Sequence, residues 1–489
     1  MNFPVLGFAI VTASFAGATL MQPVLPEENT AKSVLNATHR HREWVNVQAA
    51  SAPIRVFIVY PERSNLAPVV LLSADRQGAG DWIRAVADQT AAAGFIAVVP
   101  DVLSGLGPGG GDTDSFAGPD AIAAAAARMS RSESARRMEA ARRYAIALPA
   151  ANGRSATLSF GSGHVDAFAA GRRATFPLSQ SAFSEALGFL TRQTHDHPFF
   201  AAYMPGAEDH SAHFAMLPQA ASPQAAAGGP PAVPYPMGKL ADLPAGIFTA
   251  KSTLLHSKLQ KEFIDIPVGN VKLHTWIEYP AGNGKAPVVL VMQHGPGLDD
   301  WQRALADQLA MEGFIAIAPD LFSGMGPHGG NYDSFEGPDD VLRSNAKLSQ
   351  DEGIRRYKAA FEYGRKLPRA SGKTATVGFC AGGGYSFRFA GEVPEIDAAV
   401  VFYGTQPNEG IMSRIKAPVL GFYGEDDARV TATVEPAAAA MKKLGKSFET
   451  HIYPHGTHGF LEYQDVGGNP QATADSWHRT IGFLKQHTS

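Results

Sequence analysis

Three side chains late in the chain have the types and order needed for nucleophilic catalysis. Gly378-Phe379-Cys380-Ala381-Gly382-Gly383 places the chain's one cysteine in a G-x-nucleophile-x-G turn. Such a turn joins a strand to a helix so sharply that the central residue is strained and only glycine fits beside it. The helix that follows favours a thiolate through its N-terminal amides and dipole. It also leaves the Ala381 N–H free to face an oxyanion. An isolated cysteine is ordinarily an inert buried group; its place at a strand-to-helix turn is what points to a nucleophile. Asp427 lies in Gly424-Glu425-Asp426-Asp427-Ala428-Arg429-Val430, where a carboxylate at a strand end can orient a histidine and stabilise its imidazolium. Asp426 is the rival at this strand end. His458 sits between glycines in Gly456-Thr457-His458-Gly459-Phe460, on a loop able to reach across the strand ends. His455 is its competitor.

The elements that must position these groups follow from hydrophobic periodicity. Residues 288–292 form a short apolar run after Pro287 and before Gly295-Pro296-Gly297, the pattern of a buried parallel strand. Residues 300–311 carry Trp301, Ala304, Leu305 and Leu309 at helical spacing and stop at Gly313. Further strands are expected at 314–318, 375–379, 398–403 and 419–423, with helices near 354–366, after Cys380, and near 434–444. This alternation predicts an α/β domain with a mostly parallel sheet covered by helices on both faces. Ligands bind such sheets at the carboxyl ends of the strands, where all three candidate residues fall.

The chain also repeats itself. At an offset of 219, residues 68–108 align with 287–327 without a gap and 23 of these 41 positions are identical, well beyond chance for ordinary residue usage. Thr30-Ala31-Lys32-Ser33 falls on Thr249-Ala250-Lys251-Ser252, so the repeats begin near 30 and 249. Gly161 stands opposite Cys380. Gly188-Phe189-Leu190 matches Gly482-Phe483-Leu484 only at an offset of 294, so the first repeat lacks about 75 residues, the stretch that carries Asp427 and His458. The reading is therefore a truncated, catalytically silent domain over 30–194, an Ala/Pro/Gly-rich linker over 195–248, and a catalytic domain over 249–489 that turns over unaided. A silent copy lacking those strands would expose a sheet edge, with the other copy or the linker as the expected cover. The linker histidines His195, His197, His210 and His213 have no companion carboxylate or cysteine pattern, and solvated loop histidines are favoured over a metal site.

With its three motifs in order, separated by 47 and 31 residues, the second repeat resembles the dienelactone hydrolase family of the α/β-hydrolase superfamily. The likeness covers nearly all of 255–485. It implies hydrolysis of a carboxylic ester or lactone through an acyl-thioenzyme, with Cys380, Asp427 and His458 as the triad. It also implies an oxyanion site at the Ala381 and Gly295 N–H groups. Where the family often carries a glutamate controlling the thiol, this sequence has His294, which is expected at the oxyanion and substrate-binding site. Where relatives carry an arginine for a substrate carboxylate, it has Glu462. A thioesterase or peptidase on the same fold, or a non-catalytic binding or scaffold protein, are the alternatives.

Composition sets the remaining bounds. A hydrophobic content of 45% with 18% charged residues is that of a folded globular chain. A net charge of -4 without a basic block argues against nucleic acid as a partner. One cysteine rules out an intramolecular disulfide. No cofactor or metal is implied, because a thiolate, a base and backbone donors suffice; the expected partner is a small ester or lactone, and the two copies are expected to pack together. Residues 3–20 are apolar and small, and Ala16-Gly17-Ala18 resembles a signal-peptidase site. Residues 1–22 thus read as a signal peptide of an exported protein, with a loosely ordered extension of a cytoplasmic one as the alternative; stable membrane insertion is not expected.

Overall fold

The structure, a computed structural model, describes residues 23–49, 52–74, 78–161, 163–194, 243–464 and 469–489. The signal-peptide reading and the linker histidines fall outside these residues. Among the described residues, no helix is long and apolar enough to cross a membrane.

The second repeat holds eight strands: β8 (Lys261–Val268), β9 (Val271–Glu278), β10 (Ala286–Met292), β11 (Ile315–Pro319), β12 (Ala370–Phe379), β13 (Ala398–Phe402), β14 (Val419–Gly424) and β15 (Phe448–Tyr453). They form one sheet in the order β15-β14-β13-β12-β10-β11-β9-β8. The pairs from β11 to β15 are parallel, and only β8 and β9 run antiparallel. Both faces are dry. Trp301, Phe379, Phe402 and Trp477 pack on one, and Tyr357, Phe361 and Phe387 on the other. This explains why β10–β14 read as continuous apolar runs rather than alternating ones. Leu243 and Ala245, just ahead of the repeat's start at 249, are buried in the same core.

The first repeat departs from the expected architecture. Its strands are β1 (Arg42–Gln48), β2 (Pro53–Val59), β3 (Ala67–Ala74), β4 (Ile96–Pro100), β5 (Ala151–Gly161), β6 (His164–Ala169) and β7 (Arg172–Pro177). Up to β5 the two repeats share one plan. The irregularity at Ala67/Val69 in the β3–β5 pairing recurs at Ala286/Val288 in β10–β12. After that the chain turns back. Gly161, opposite Cys380, pairs with His164 inside an antiparallel ladder instead of opening a helix. The turn between β6 and β7 is Ala170-Gly171, both at positive φ (50° and 77°), the backbone of a tight two-residue hairpin. Only β3–β4 and β3–β5 are parallel in this sheet, so a mostly parallel sheet describes the second repeat and not the first. Among the described residues, the edge expected to be bare at β5 is not paired by the other repeat. The chain's own hairpin covers it.

The repeats meet through charge and backbone. The guanidinium of Arg84 donates two bonds to the Asp339 carboxylate at 2.7 and 2.8 Å, with both side chains fully buried. Arg343 of the second repeat reaches Asp81 at 2.6 Å and Asp114 at 2.7 Å in the first. Arg63 forms a lone parallel bridge with Asp427, its carbonyl accepting the Ala428 N–H at 3.2 Å.

Candidate active site

Cys380 closes β12 and caps the helix Ala381–Glu392, with φ 54° and ψ −117°. That is a conformation a side-chain-bearing residue holds only where its surroundings over-determine it. Here they do. The Cys380 N–H donates to the Phe402 carbonyl at 3.0 Å. A Cβ at Gly378 would stand 1.9 Å from the Gly382 carbonyl oxygen, and one at Gly382 would stand 2.1 Å from that of Met292. Neither obstacle is a side chain that could swing away, so both positions admit glycine alone. The tight passage of backbone past backbone lifts Cys380 above the sheet end.

Asp427 and His458 lie on the loops after β14 and β15. The Asp427 carboxylate accepts from His458 Nδ1 at 2.6 Å, and both are buried. Nε2 of His458 is thereby turned away from Asp427; it is buried and has no hydrogen-bond partner among the described residues. The rivals are arranged differently. His455 is exposed, and its Nδ1 lies 4.0 Å from Asp426.

Ala381 holds the first position of its helix, where a backbone amide has no acceptor within the helix. Gly295 follows β10 and lines the same cavity. His294 lines this cavity as well. Its Nδ1 lies 3.0 Å from Glu462 and its Nε2 3.1 Å from Asp299, so both ring nitrogens are engaged by carboxylates. Burial opposes its charge, but Glu462 and Asp299 outweigh this and hold its pKa well above the ordinary value. The two departures from the family pattern are thus one feature: His294 and Glu462 pair with each other.

Electrostatics favour a thiolate at Cys380. Burial alone would raise its pKa; the nearby His458, Arg429 and His294 overcome this and bring it below the ordinary 9.0. His458 is also penalised by burial, yet Asp427 and Cys380 raise it to about 10.

Sequence reasoning missed one group entirely. His41, from the first repeat, places Nδ1 3.9 Å from Cys380 Sγ. Its ring stands edge-on to that of His458 with centroids 4.4 Å apart. Donor atoms of His41, Cys380 and His458 all lie within 4.8 Å of one another. The available signal was a departure from the repeat, since His39-Arg40-His41-Arg42 stands where the second copy has Lys258-Leu259-Gln260-Lys261. The three groups open on a cavity of about 1070 Å³ walled by both repeats, including Trp44, Asn46, Phe248, Leu342, Tyr385 and Arg388.

Residues 54–163 and 273–488 match a family model described as the dienelactone hydrolase family. A candidate carboxymethylenebutenolidase of Saccharolobus solfataricus is 29% identical over 231 residues, covering 40% of this chain and 88% of its own. The protein usf of Aquifex pyrophilus is also 29% identical, over 237 residues, covering 46% and 98% respectively. Among solved structures, a candidate dienelactone hydrolase of Klebsiella pneumoniae superposes with a TM-score of 0.43 at 23% identity, over 47% of this chain and all of its own.

Proposed function

The chain belongs to the dienelactone hydrolase family, and from that premise we propose that it hydrolyses a carboxylic ester or lactone through Cys380, His458 and Asp427. One observation carries this reading: Cys380 is held in a strained turn opposite a buried His458–Asp427 pair.

The thiol proton passes to His458 Nε2, and the thiolate attacks the acyl carbon. The oxyanion that forms is met by the N–H groups of Ala381 and Gly295. Collapse breaks the bond to the alcohol oxygen, which takes the proton from His458; with a lactone, the alcohol stays tethered to the acyl group. His458 then removes a proton from water, the water attacks the thioester, and the acid leaves with the thiolate restored. Asp427 keeps the proton on Nδ1 and stabilises the imidazolium throughout. Glu462, tied to His294, gives this position no cation for a substrate carboxylate.

The first repeat, over residues 30–194, carries no nucleophile at Gly161, and we assign it no turnover of its own. The apolar run at 3–20 supports export, which N-terminal sequencing of the mature protein tests directly.

A panel of chromogenic esters and lactones offered to the full chain and to Cys380→Ala tests the activity. Mass spectrometry of quenched reactions should find an acyl adduct on Cys380. Turnover in Cys380→Ala comparable with the native chain would defeat the assignment.

A further inference from the structure

The silent repeat puts an imidazole against the other repeat's sulfur, and the way it is held there argues for a role. His41 immediately precedes β1, and its carbonyl accepts the Tyr60 N–H at 2.9 Å. The ring is wedged between Tyr60 and His458, with centroids 5.4 and 4.4 Å away. Nδ1 is left 3.9 Å from Cys380 Sγ. At the equivalent position of the second repeat, Gln260 accepts the Tyr279 N–H in the same way, also at 2.9 Å. The backbone role is therefore common to both repeats; the imidazole belongs to the first alone.

We propose that His41 is a catalytic residue of the second repeat's site, donating its Nδ1–H to the Cys380 thiolate, so that the first repeat completes a centre it does not itself contain. The inference rests on Cys380 being the nucleophile. The protons balance simply: the thiol proton goes to His458 Nε2, while His41 keeps its own and no bond to it breaks.

Two further observations support this division between the imidazoles. His458 has a carboxylate at Nδ1 and so can carry charge. His41 has none: the residue is half-buried, and desolvation together with the facing groups Arg429, His458 and Arg42 disfavours a second cation, which holds it neutral with one N–H to give. The thiolate for its part faces His458, Arg429 and His294, and His41 adds directed donation to that field. The first repeat also steadies the acid loop, because the Arg63 carbonyl accepts the Ala428 N–H one residue past Asp427. A hydrogen bond to a charged group changes the balance between thiol and thiolate by about tenfold or more.

Because Cys380 is the chain's one cysteine, alkylation by iodoacetamide as a function of pH titrates this thiol alone in the full-length protein. His41→Leu keeps bulk and removes the donor, whereas His41→Asn keeps an N–H near the place of Nδ1. In His41→Leu the midpoint of the alkylation profile should move about one pH unit upward and kcat/KM at neutral pH fall about tenfold or more, with kcat losing more than KM gains. His41→Asn should restore most of both. Circular dichroism accompanies each variant, and His41→Ala replaces His41→Leu under the same criteria if the latter is unfolded. An unshifted profile with native kcat/KM in the donor-less variant overturns the proposal. So do equal losses in the Leu and Asn variants with an unmoved midpoint, which would mark His41 as packing only. An inactive Cys380→Ala alongside a normal His41→Leu removes this inference alone; an active Cys380→Ala removes the hydrolase reading beneath it.

Discussion

Cys380 and His458 form a coupled pair whose two directions of shift set the pH profile. The thiol lies below its ordinary value and the imidazole is raised to about 10, so both shifts favour the thiolate–imidazolium form of the pair. The sulfur loses its charge as pH falls through the lower apparent value; the proton needed by the leaving group is lost as pH rises through the upper one. A bell-shaped kcat/KM with its alkaline limb near 10 is the expected outcome, read from initial rates across pH and assigned to the pair rather than to either residue. A profile still rising beyond pH 10 would contradict it. His458→Ala should cost several powers of ten in kcat, as loss of a triad member does. His455→Ala, on an exposed side chain, should stay within a few-fold. Steady-state kinetics on the two variants separates them. The sequence separates these histidines by local turn chemistry alone: His458 stands between glycines, and the loop order is that of the strands. His41 was not legible, because its function depends on how two distant segments dock, and no local pattern encodes that.

Elements show the same division between local and tertiary information. β10–β14 and the helix after Cys380 followed from apolar runs bounded by glycine and proline, and their observed ends lie within two residues of the expected ones on most strands. The hairpin of β6 and β7 was missed, although Val165, Ala167 and Ala169 alternate with outward-facing residues; comparison with the longer repeat suggested a missing piece where the chain had built a different cover. Glu278, at the end of β9, shows what an element end can conceal. Burial and the neighbouring Asp307 raise its carboxyl to about 9, and it accepts the Trp276 indole N–H at 3.0 Å. A folded-state value above the unfolded one means the native state binds the extra proton, so stability falls as pH rises from about 4.5 towards 9. Glu278→Gln imitates the protonated form. It should melt like the native protein near pH 5, but lose less stability on going to pH 9; parallel melting curves for the two proteins across that range would refute the assignment.

At the scale of the whole molecule, the repeats behave as one working unit only while their interface holds. Removing residues 1–248 would take away His41 and the Arg63 carbonyl together, so the second repeat alone is now expected to lose activity, contrary to the sequence-based expectation that it turns over unaided. A point substitution tests the same coupling without cutting the chain. Arg84 is the buried cation that Asp339 was folded to meet, and Arg343 lies 3.2 Å from the same carboxylate. Arg84→Ala leaves Asp339 buried with the weaker of its two partners, which should cost about 3 kcal/mol and lower the melting temperature. Replacing both partners, as Arg84→Met with Asp339→Leu, removes the stranded charge and should recover much of that stability, since apolar pairs often equal buried ion pairs. Activity should follow the docking rather than the fold of either half. The loosened interface withdraws His41 from Cys380, so kcat/KM in Arg84→Ala should fall in the same direction as in His41→Leu, and the double substitution should restore it. Calorimetry and esterase kinetics on the same preparations decide the matter: a lower melting temperature with undiminished kcat/KM would show that the second repeat keeps its site without the first.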